Sequence, residues 1–326
     1  MPTLTDIVVS SDGLLDTLET ALVAAGLVHF FDNPYDEYTV FAPSNTAFAN
    51  VPTPLATALL TDGSWALHLL SILTMHVAEG TVTSSDLSQG QVIDTLNPNE
   101  SITVDLTSGA CFEPSVLGSA CVVPPYVDIM ASNGVAHVIS EVLTPSWIGQ
   151  TIPDIAGANG FNILLDLAVN CASPTIAATL TNTMGLTVFA PTDEAFTALL
   201  TELGTDRDGL CAETALLDSV LLYHVVDSVL PTSALDEGLT YVPTLLEDKF
   251  IPVTWCQDSE VLTALDSNII ATDVLATNGI IHVIDQVMLP PSEPIKYYGK
   301  GKGSGVCGKS SKGKNGSRKR RGLVRG

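Results

Sequence analysis

The chain has 326 residues, of which 46% are hydrophobic and only 15% are charged, a composition typical of folded globular domains. Its formal net charge is −23, and all 36 acidic residues lie at or before Glu293, whereas 11 of the 13 basic residues lie from Lys296 onward. A body this acidic repels nucleic acid and anionic lipid, so we expect neither as its partner. The length suits two domains of about 150 residues each.

The first predicted element is an amphipathic helix, in which Leu15, Leu18 and Leu22 recur at spacings of three and four residues. Residues 39–48, TVFAPSNTAF, follow it. They predict a buried strand that ends at proline and a helix that a serine caps at its N-terminus. A strongly apolar helix is then predicted near residues 65–77.

Strand and loop signals follow the apolar helix. The alternating run at residues 102–106, ITVDL, predicts a half-buried strand. The phrase NGVAHVISEVLTP, which begins at Asn133, predicts a hairpin turn that enters another strand.

The same order of elements then occurs a second time. TVFAPSNTAF at residues 39–48 returns as TVFAPTDEAF at residues 187–196, and the closing phrase returns as NGIIHVIDQVMLPP from Asn278. A repeat of this length indicates two copies of one domain. We predict domains at residues 1–148 and 149–293, and a link so short that their relative orientation is restricted.

These repeated motifs resemble those of the fasciclin domain. TVFAPTDEAF and NGIIHVIDQVMLP look like its two end motifs, and the helix ending Leu222-Tyr223-His224 looks like its central Tyr-His motif. The resemblance covers residues 3–145 and 151–291. It implies an α+β fold of two tandem fasciclin-type β-wedge domains, each with two small sheets and helices packed at one side. It also implies work in extracellular adhesion and matrix organisation, through proteins or glycans.

The resemblance further implies a set of partner-binding residues. Family members that bind integrins are thought to use the Tyr-His segment and an Asp-Ile pair just before the last motif. The matching positions, four in each domain, are Tyr223, His224, Asp273, Val274, Met75, His76, Asp128 and Ile129. Neither domain carries both pairs intact, which is a departure from the integrin-binding pattern.

A structural interpretation competes for the histidines. His76 and His224 lie on apolar helix faces, and His137 and His282 lie in the closing strands. A buried imidazole must find hydrogen-bond partners, so each histidine is predicted to bond the backbone inside the core.

Catalytic and metal-binding motifs were sought next. The sequence holds no GxSxG, no HExxH, no phosphate-binding glycine loop and no dinucleotide fingerprint. The six histidines show no zinc-ligand spacing. We therefore expect no enzyme, no cofactor and no metal site.

Six cysteines in a chain of secreted character predict disulfides. The first choice pairs Cys111 with Cys121, and the second pairs Cys171 with Cys211. Cys256 is predicted either to pair with Cys307 or to stay free. Asn99 and Asn315 are candidate glycosylation acceptors, because each begins an Asn-x-Ser sequence in a loop-like segment.

Residues 294–326 are rich in glycine and cations and have no apolar period, so they predict a disordered tail. The tail suits anionic polymers or surfaces, whose candidate contacts are Lys300, Lys302, Lys309, Lys312, Lys314, Arg318, Lys319, Arg320 and Arg321. A solvated extension, a segment cleaved at residues 319–321 and a gene-model error remain alternatives. Met1 opens no secretory leader, and we expect the leader to be missing from this sequence. No run is long and apolar enough to cross a membrane.

Three functional hypotheses follow. The leading hypothesis is a non-enzymatic adhesion or matrix protein, extracellular or on the cell surface or cell wall, that binds protein or polysaccharide. The alternative is a carrier of a small apolar ligand such as a carotenoid, since some fasciclin-like proteins of algae look to be carotenoid binders. The third is a rigid spacer without specific partners.

Overall fold

Each half of the chain builds one domain from strands and helices in the same order. The computed structural model describes residues 1–11, 13–33, 35–98, 100–256 and 261–291. The tail lies outside these described residues.

The first domain contains five α-helices and eight strands among its described residues. Its helices are α1 (Leu4–Val9), α2 (Asp16–Ala24), α3 (Asn45–Ala49), α4 (Thr53–Thr61) and α5 (Ala66–Met75). Its strands are β1 (Tyr38–Pro43), β2 (Val77–Glu79), β3 (Val92–Asp94), β4 (Ser101–Asp105), β5 (Cys111–Glu113), β6 (Ala120–Cys121), β7 (Ile129–Ala131) and β8 (Gly134–Ile139). Short 3₁₀ helices span Val28–Asp32, Gly63–Trp65 and Ser84–Asp86.

The second domain repeats this plan with a longer helix after its first strand. Its helices are α6 (Ile152–Ala158), α7 (Asn162–Asp166), α8 (Pro174–Asn182), α9 (Asp193–Leu203), α10 (Arg207–Ala212) and α11 (Thr214–Tyr223). Its strands are β9 (Leu186–Pro191), β10 (Val225–Val226), β11 (Gly238–Pro243), β12 (Phe250–Cys256), β13 (Val261–Ala264), β14 (Ser267–Ala276) and β15 (Gly279–Ile284). A π-helical turn spans Leu167–Cys171, and a 3₁₀ helix spans Thr232–Ala234.

The repeated phrases form the centre of each domain. In the first domain β1 pairs in parallel with β8, and Phe41 lies opposite His137. In the second domain β9 pairs in the same way with β15. All four strands are buried along their whole length, as expected for strands of apolar sequence covered on both faces. The predicted caps are also present, since Ser44 and Thr192 accept hydrogen bonds from backbone amides of the next turn.

The two domains differ in how their sheets join. The first has two four-stranded sheets, with strand orders β2-β1-β8-β7 and β3-β4-β5-β6. In the second, the corresponding strands form one seven-stranded sheet, β10-β9-β15-β14-β13-β12-β11. The ten-residue β14 joins both halves, and its register shifts twice along β15. Such bulges bend and twist a strand, which lets β14 serve both layers of the wedge.

Each domain buries two apolar clusters. One lies between the helices and the central sheet, and the other lies between the two layers of strands. The predicted stripe of the opening helix belongs to the first of these, with Leu15, Leu18 and Leu22 all buried. Two residues of the second domain, Val229 and Ile280, are buried in the same cluster as the helices of the first. The apolar core of the first domain therefore extends onto the surface of the second at the junction.

The hairpin glycines of the closing phrases explain why those phrases begin Asn-Gly. Gly134 has φ +143° and Gly279 has φ +159°. A Cβ at Gly134 would lie 1.9 Å from the carbonyl oxygen of Tyr38, and one at Gly279 would lie 2.0 Å from that of Leu186. Only glycine lets the closing strand approach the first strand this closely.

Candidate functional site

The Tyr-His segment of each domain is part of the core. His224 is buried at the end of α11, where its Nδ1–H donates to the carbonyl of Val220 at 2.7 Å and its Nε2 accepts from the Met288 amide at 3.0 Å. His76 makes the matching pair of bonds, to Ile72 and from Leu143. Burial lowers the pKa of His76 and of His224 to about 4, although the bonds to backbone carbonyls oppose it. Both imidazoles are therefore neutral, and each links a helix by hydrogen bonds to the chain that follows the closing strand.

The residue before each of these histidines is also enclosed. Tyr223 is 0% exposed, and its hydroxyl donates to the carbonyl of Phe250 at 3.0 Å. Burial raises the pKa of Tyr223 to about 12. Met75 takes the same place in the first domain and is also fully buried. Both side chains are enclosed by their own domain.

The Asp273-Val274 pair lies at a bulge in β14 that a second histidine supports. The Asp273 amide donates to Nδ1 of His282 at 3.3 Å, and Nε2–H of that histidine donates to the Leu230 carbonyl at 2.8 Å. The Asp273 carboxylate also accepts from the amide and the hydroxyl of Thr232. All four core histidines thus bond backbone groups, which confirms the structural interpretation of the sequence.

The first domain repeats this arrangement at Asp128. Its amide donates to Nδ1 of His137 at 3.3 Å, and its carboxylate accepts from the amide and the hydroxyl of Ser84. Burial raises the pKa of Asp128, but the hydrogen bonds from Ser84 outweigh it and hold the pKa below its ordinary value. Asp128 and Asp273 both adopt positive φ, at 52° and 57°, in the left-handed region that aspartate tolerates better than most residues. Each carboxylate therefore holds a neighbouring loop against the sheet by hydrogen bonds.

The structure does not bring the two halves of the candidate site together. In each domain the Tyr-His or Met-His segment leads into one edge of the central sheet, and the aspartate pair begins or interrupts the strand three places further on. The two intervening strands separate these positions by about 14 Å, at about 4.8 Å per strand. A single contact surface that uses both pairs would have to span the sheet.

The aspartate of the first domain lies within an exposed apolar segment that sequence reasoning did not single out. Tyr126, Val127 and Met130 are 42%, 37% and 47% exposed. They flank Asp128 and Ile129 along the edge of the central sheet. Strand β7 pairs with β8 on one side, and among the described residues no strand pairs with its other side. An open edge with exposed apolar side chains is a surface to which an extended peptide can add.

Specific hydrogen bonds join the two domains at their junction. The turn at Thr277 of the second domain docks on the linker: its hydroxyl donates to the Trp147 carbonyl at 3.0 Å and accepts from the Gly149 amide at 2.7 Å. Its own amide donates to the Gln150 carbonyl at 2.8 Å. The predicted restriction on domain orientation therefore has a physical basis in these three hydrogen bonds.

Buried His68 completes this junction. Its Nε2–H points at the carbonyls of Ala276 and Gly279 in the second domain, at 3.2 and 3.0 Å, and its ring packs between Trp65 and Trp147. Nδ1 has no hydrogen-bond partner among the described residues. Burial lowers the pKa of His68 to about 4. A neutral imidazole of the first domain thus donates its N–H to backbone oxygens of the second.

The first domain also contains an apolar cavity of about 250 Å³ that is partly open to solvent. It lies between α3, α4 and α5, and its lining includes Phe48, Leu55, Leu59 and Val142. The cavities beneath the opening helices measure about 20 Å³ in the first domain and 30 Å³ in the second. Each of these holds little more than one water molecule.

Both cations of the body are engaged within the second domain. Nε of Arg207 lies 2.6 Å from Asp166, and Nη1 lies 2.9 Å from Asp208. Nζ of Lys249 donates to the carbonyl of Pro291 at 2.6 Å, where the described part of the chain ends. A bound anion would have to compete with these partners.

The two predicted disulfides are present. Cys111 bonds Cys121 between β5 and β6, and Cys171 bonds Cys211 between the π-helical turn and α10. Cys256 is also disulfide-bonded, so the alternative in which it stays free is wrong. Its proposed partner Cys307, the glycosylation candidates Asn99 and Asn315, and the tail cations fall outside the described residues.

Metal and membrane sites were sought in the described part of the chain. There, no group of three or more His, Cys, Asp or Glu side chains could hold a metal ion. Likewise no single described helix has the length and apolar character to cross a bilayer. The pair Thr53–Thr61 and Gly63–Met75 meets the test only when taken together, and it bends by 96°.

A fold of this kind, two β-wedge domains each closed by a parallel pair of first and last motifs, defines the class of protein. The fasciclin domain family model matches residues 13–145 and again 161–290. The chain belongs to the fasciclin domain family.

Individual relatives share this relationship at moderate identity. Human periostin is 24% identical over 291 residues, which is 88% of this chain and 32% of periostin. The chain thus spans about a third of that relative. The uncharacterized protein sll1735 of Synechocystis is 38% identical over 143 residues, 44% of this chain and 98% of its own length. Among solved structures, the FAS1 domain pair of the insect cell adhesion molecule fasciclin I covers 86% of this chain and 98% of its own, with a TM-score of 0.41 and 19% identity.

Proposed function

We propose that this chain is a non-enzymatic adhesion or matrix module that works outside the cell and binds its partner through the fasciclin domains. Membership of a family whose domains occur in adhesion and matrix proteins supports this role. The docked pair of domains also supports it, because apolar contact and three hydrogen bonds at the junction restrict how two recognition surfaces are placed relative to each other.

The observation that carries the proposal is the open edge of the first domain. Tyr126 and Met130 offer apolar contact area, Ile129 lies in the edge strand β7, and Asp128 adds one carboxylate. A protein partner in extended conformation fits such an edge, since backbone hydrogen bonds supply affinity and alternate side chains supply specificity. Among the eight residues that the family resemblance suggested, we therefore favour Asp128 and Ile129 for partner contact in the first domain.

The corresponding pair in the second domain is less open. Asp273 and Val274 lie in β14, which pairs with β13 near one end and with β15 along much of its length. Tyr223, His224, Met75 and His76 are buried, so we propose that substitutions there change binding through domain stability.

The basic tail supplies the second part of the proposal. Eleven cations from Lys296 onward follow a body whose two cations are already paired, so anionic polymers find their charge complement in the tail. Its contribution should fade as salt rises, because exposed charges are screened.

The test measures binding to immobilised matrix proteins and to anionic and neutral polysaccharides, at low and high salt. The variants are the double substitution Tyr126→Ala with Met130→Ala and the chain shortened to residues 1–294. Val116→Ala is the matched control, since Val116 is 64% exposed in the same domain but away from this edge. We expect the double variant to bind protein at least tenfold more weakly and the control to bind as the parent does.

Shortening should lower only the salt-sensitive binding to anionic polysaccharide. Equal binding by the parent chain and the double variant would remove the edge from the proposal. If the shortened chain binds anionic polysaccharide with the same salt dependence as the full chain, the tail has no part in this binding.

A second candidate function is the carriage of a small apolar ligand, which the 250 Å³ cavity of the first domain favours. A carotenoid of about 40 carbon atoms does not fit within it, because a 150 Å³ cavity holds one benzene and volume scales with carbon number. A ligand enclosed wholly by this cavity is therefore smaller than a carotenoid.

A further inference from the structure

We infer that the cavity between α3, α4 and α5 of the first domain is a binding site for a neutral apolar molecule of about ten carbon atoms, such as a medium-chain alcohol or a compact terpenoid, by the benzene-to-volume proportion. The inference rests on the second candidate function, to which it gives a site and a class of ligand. It is independent of the open edge and of the tail.

The lining decides the chemistry of the ligand. Fifteen residues surround the space, and Thr17 and Asn45 are the two with polar side chains. Asn45 is occupied within the protein, because its Oδ1 accepts from the Thr17 amide and its Nδ2 donates to the Gly13 carbonyl. The Thr17 hydroxyl is thus the group best placed to bond one polar atom of a ligand. A cavity with this lining excludes strongly polar molecules, since their desolvation would find no compensation.

Charge excludes the commonest apolar anions. Residues 1–206 contain no lysine and no arginine, and the two cations of the body, Arg207 and Lys249, are paired in the second domain. A fatty-acid carboxylate at this site would meet no counter-ion in the first domain. Acidic side chains lie nearby, since the Glu141 carboxylate accepts from Asn50, one residue after Ala49 of the lining. A neutral head group avoids that repulsion.

The second domain carries different residues at two of the lining positions. The repeat offset of 148 residues places Arg207 and Asp208 where the first domain has Leu59 and Leu60 of the lining. Those charged residues form an ion-paired corner with Asp166, beside the disulfide of Cys211. Two positions that carry apolar lining residues in the first domain therefore carry partly exposed, ion-paired groups in the second.

The rigidity of the surrounding elements suits a preformed site. Leu55, Leu69, Ile72 and Val142 line the cavity and are at most 3% exposed, so their positions are set by the core behind them. A ligand can fill the space without reordering these side chains, which keeps the entropic cost of binding low.

The test is equilibrium dialysis of the full chain against radiolabelled 1-decanol, with decanoate as the matched anion. We expect decanol to bind one site with a dissociation constant on the order of 1–100 µM, and decanoate to bind at least tenfold more weakly at pH 7.5. Ala56→Phe and Ala56→Leu fill the cavity from the α4 side. Ala56→Phe should weaken decanol binding at least tenfold, and Ala56→Leu should weaken it several fold. Both variants should raise the melting temperature of the ligand-free chain.

Ala198→Phe is the control, because Ala198 is exposed on α9 of the second domain, and it should bind decanol as the parent chain does. Absence of decanol binding would overturn the inference, as would undiminished binding by both filled variants. Equal binding of decanoate would overturn the choice of a neutral ligand.

Uptake of an added carotenoid, followed by its visible spectrum, distinguishes the small-ligand site from the carotenoid carrier. Decanol binding without carotenoid uptake supports this site and rejects the carotenoid carrier. Carotenoid uptake that survives Ala56→Phe without decanol binding rejects this site and keeps the carrier.

Discussion

Acid should destabilise the first domain through His76, and the effect can be isolated with His76→Gln. The imidazole is neutral and buried, donating from Nδ1 and accepting at Nε2. A second proton on the ring would face the Leu143 amide, which is itself a donor. The unfolded chain, in contrast, takes up that proton with a pKa near 6.5.

The magnitude follows from the two pKa values. Because the folded pKa of about 4 lies below the unfolded one, the stabilisation is complete above about pH 6.5 and is lost as the pH falls toward 4. Each pH unit in that window removes about 1.4 kcal/mol, so His76 alone costs the parent chain about 3 kcal/mol between pH 7.5 and 4.5. His76→Gln is less stable at pH 7.5, because buried hydrogen bonds are lost, but it lacks this part of the acid loss.

The assay is urea unfolding at both pH values, followed by tryptophan fluorescence. Trp65 and Trp147, two of the three tryptophans, belong to the first domain and its linker. We expect the stability gap between parent and His76→Gln to shrink by about 2 to 3 kcal/mol at the lower pH. Ile72→Val, one turn earlier on α5, is the control and should cost about 1 kcal/mol at both pH values. A gap for His76→Gln that stays constant would refute the reasoning.

Three further predictions follow from features of the fold. Thr277→Val removes two hydrogen bonds at the domain junction and should weaken docking of the domains by about 1 to 3 kcal/mol. We expect faster proteolysis of the linker at residues 145–151 and a larger radius of gyration in solution scattering. An unchanged radius of gyration would contradict this prediction. Replacing Cys171 and Cys211 by alanine should cost about 4 kcal/mol, against about 3 kcal/mol for Cys111 and Cys121, because the closed segments span 40 and 10 residues; thermal unfolding of both double variants would reveal a reversed order. Gly134→Ala and Gly279→Ala should each prevent folding of their own domain, while the other domain keeps a melting transition at a lower temperature because its contacts at the junction are lost. Two unchanged transitions in calorimetry would count against the close approach at the hairpin.

Local patterns predicted the parts of the fold that local physics controls. The repeated phrases became buried strands with capped helices, and the Asn-Gly turns became hairpins, because propensity, capping and turn chemistry act over a few residues. The buried histidines were also predictable, since an apolar helix face leaves an imidazole only backbone groups to bond.

Features that depend on distant residues were not predicted. The parallel pairing of β1 with β8 joins Phe41 to His137, and no local signal reports such a contact. The merged sheet of the second domain depends on bulges in β14, and the exposure of Tyr126 and Met130 depends on which edge stays unpaired. The cavity had one visible sign, the exchange of Leu59 and Leu60 for a charged pair at the repeat offset.

The parallel pairing of first and last motifs has a mechanical consequence. When the ends of a domain are pulled apart, β1 is drawn from its N-terminal end and β8 from its C-terminal end. Because the strands are parallel, these forces oppose each other along the shared ladder, and the six residue pairs from Tyr38–Gly134 to Pro43–Ile139 are loaded in shear at the same time. Forced unfolding is governed by the unfolding rate, so a ladder that must break as a unit should yield slowly. Two such ladders in series give the chain a tether that holds under tension, beyond what its equilibrium stability alone would provide.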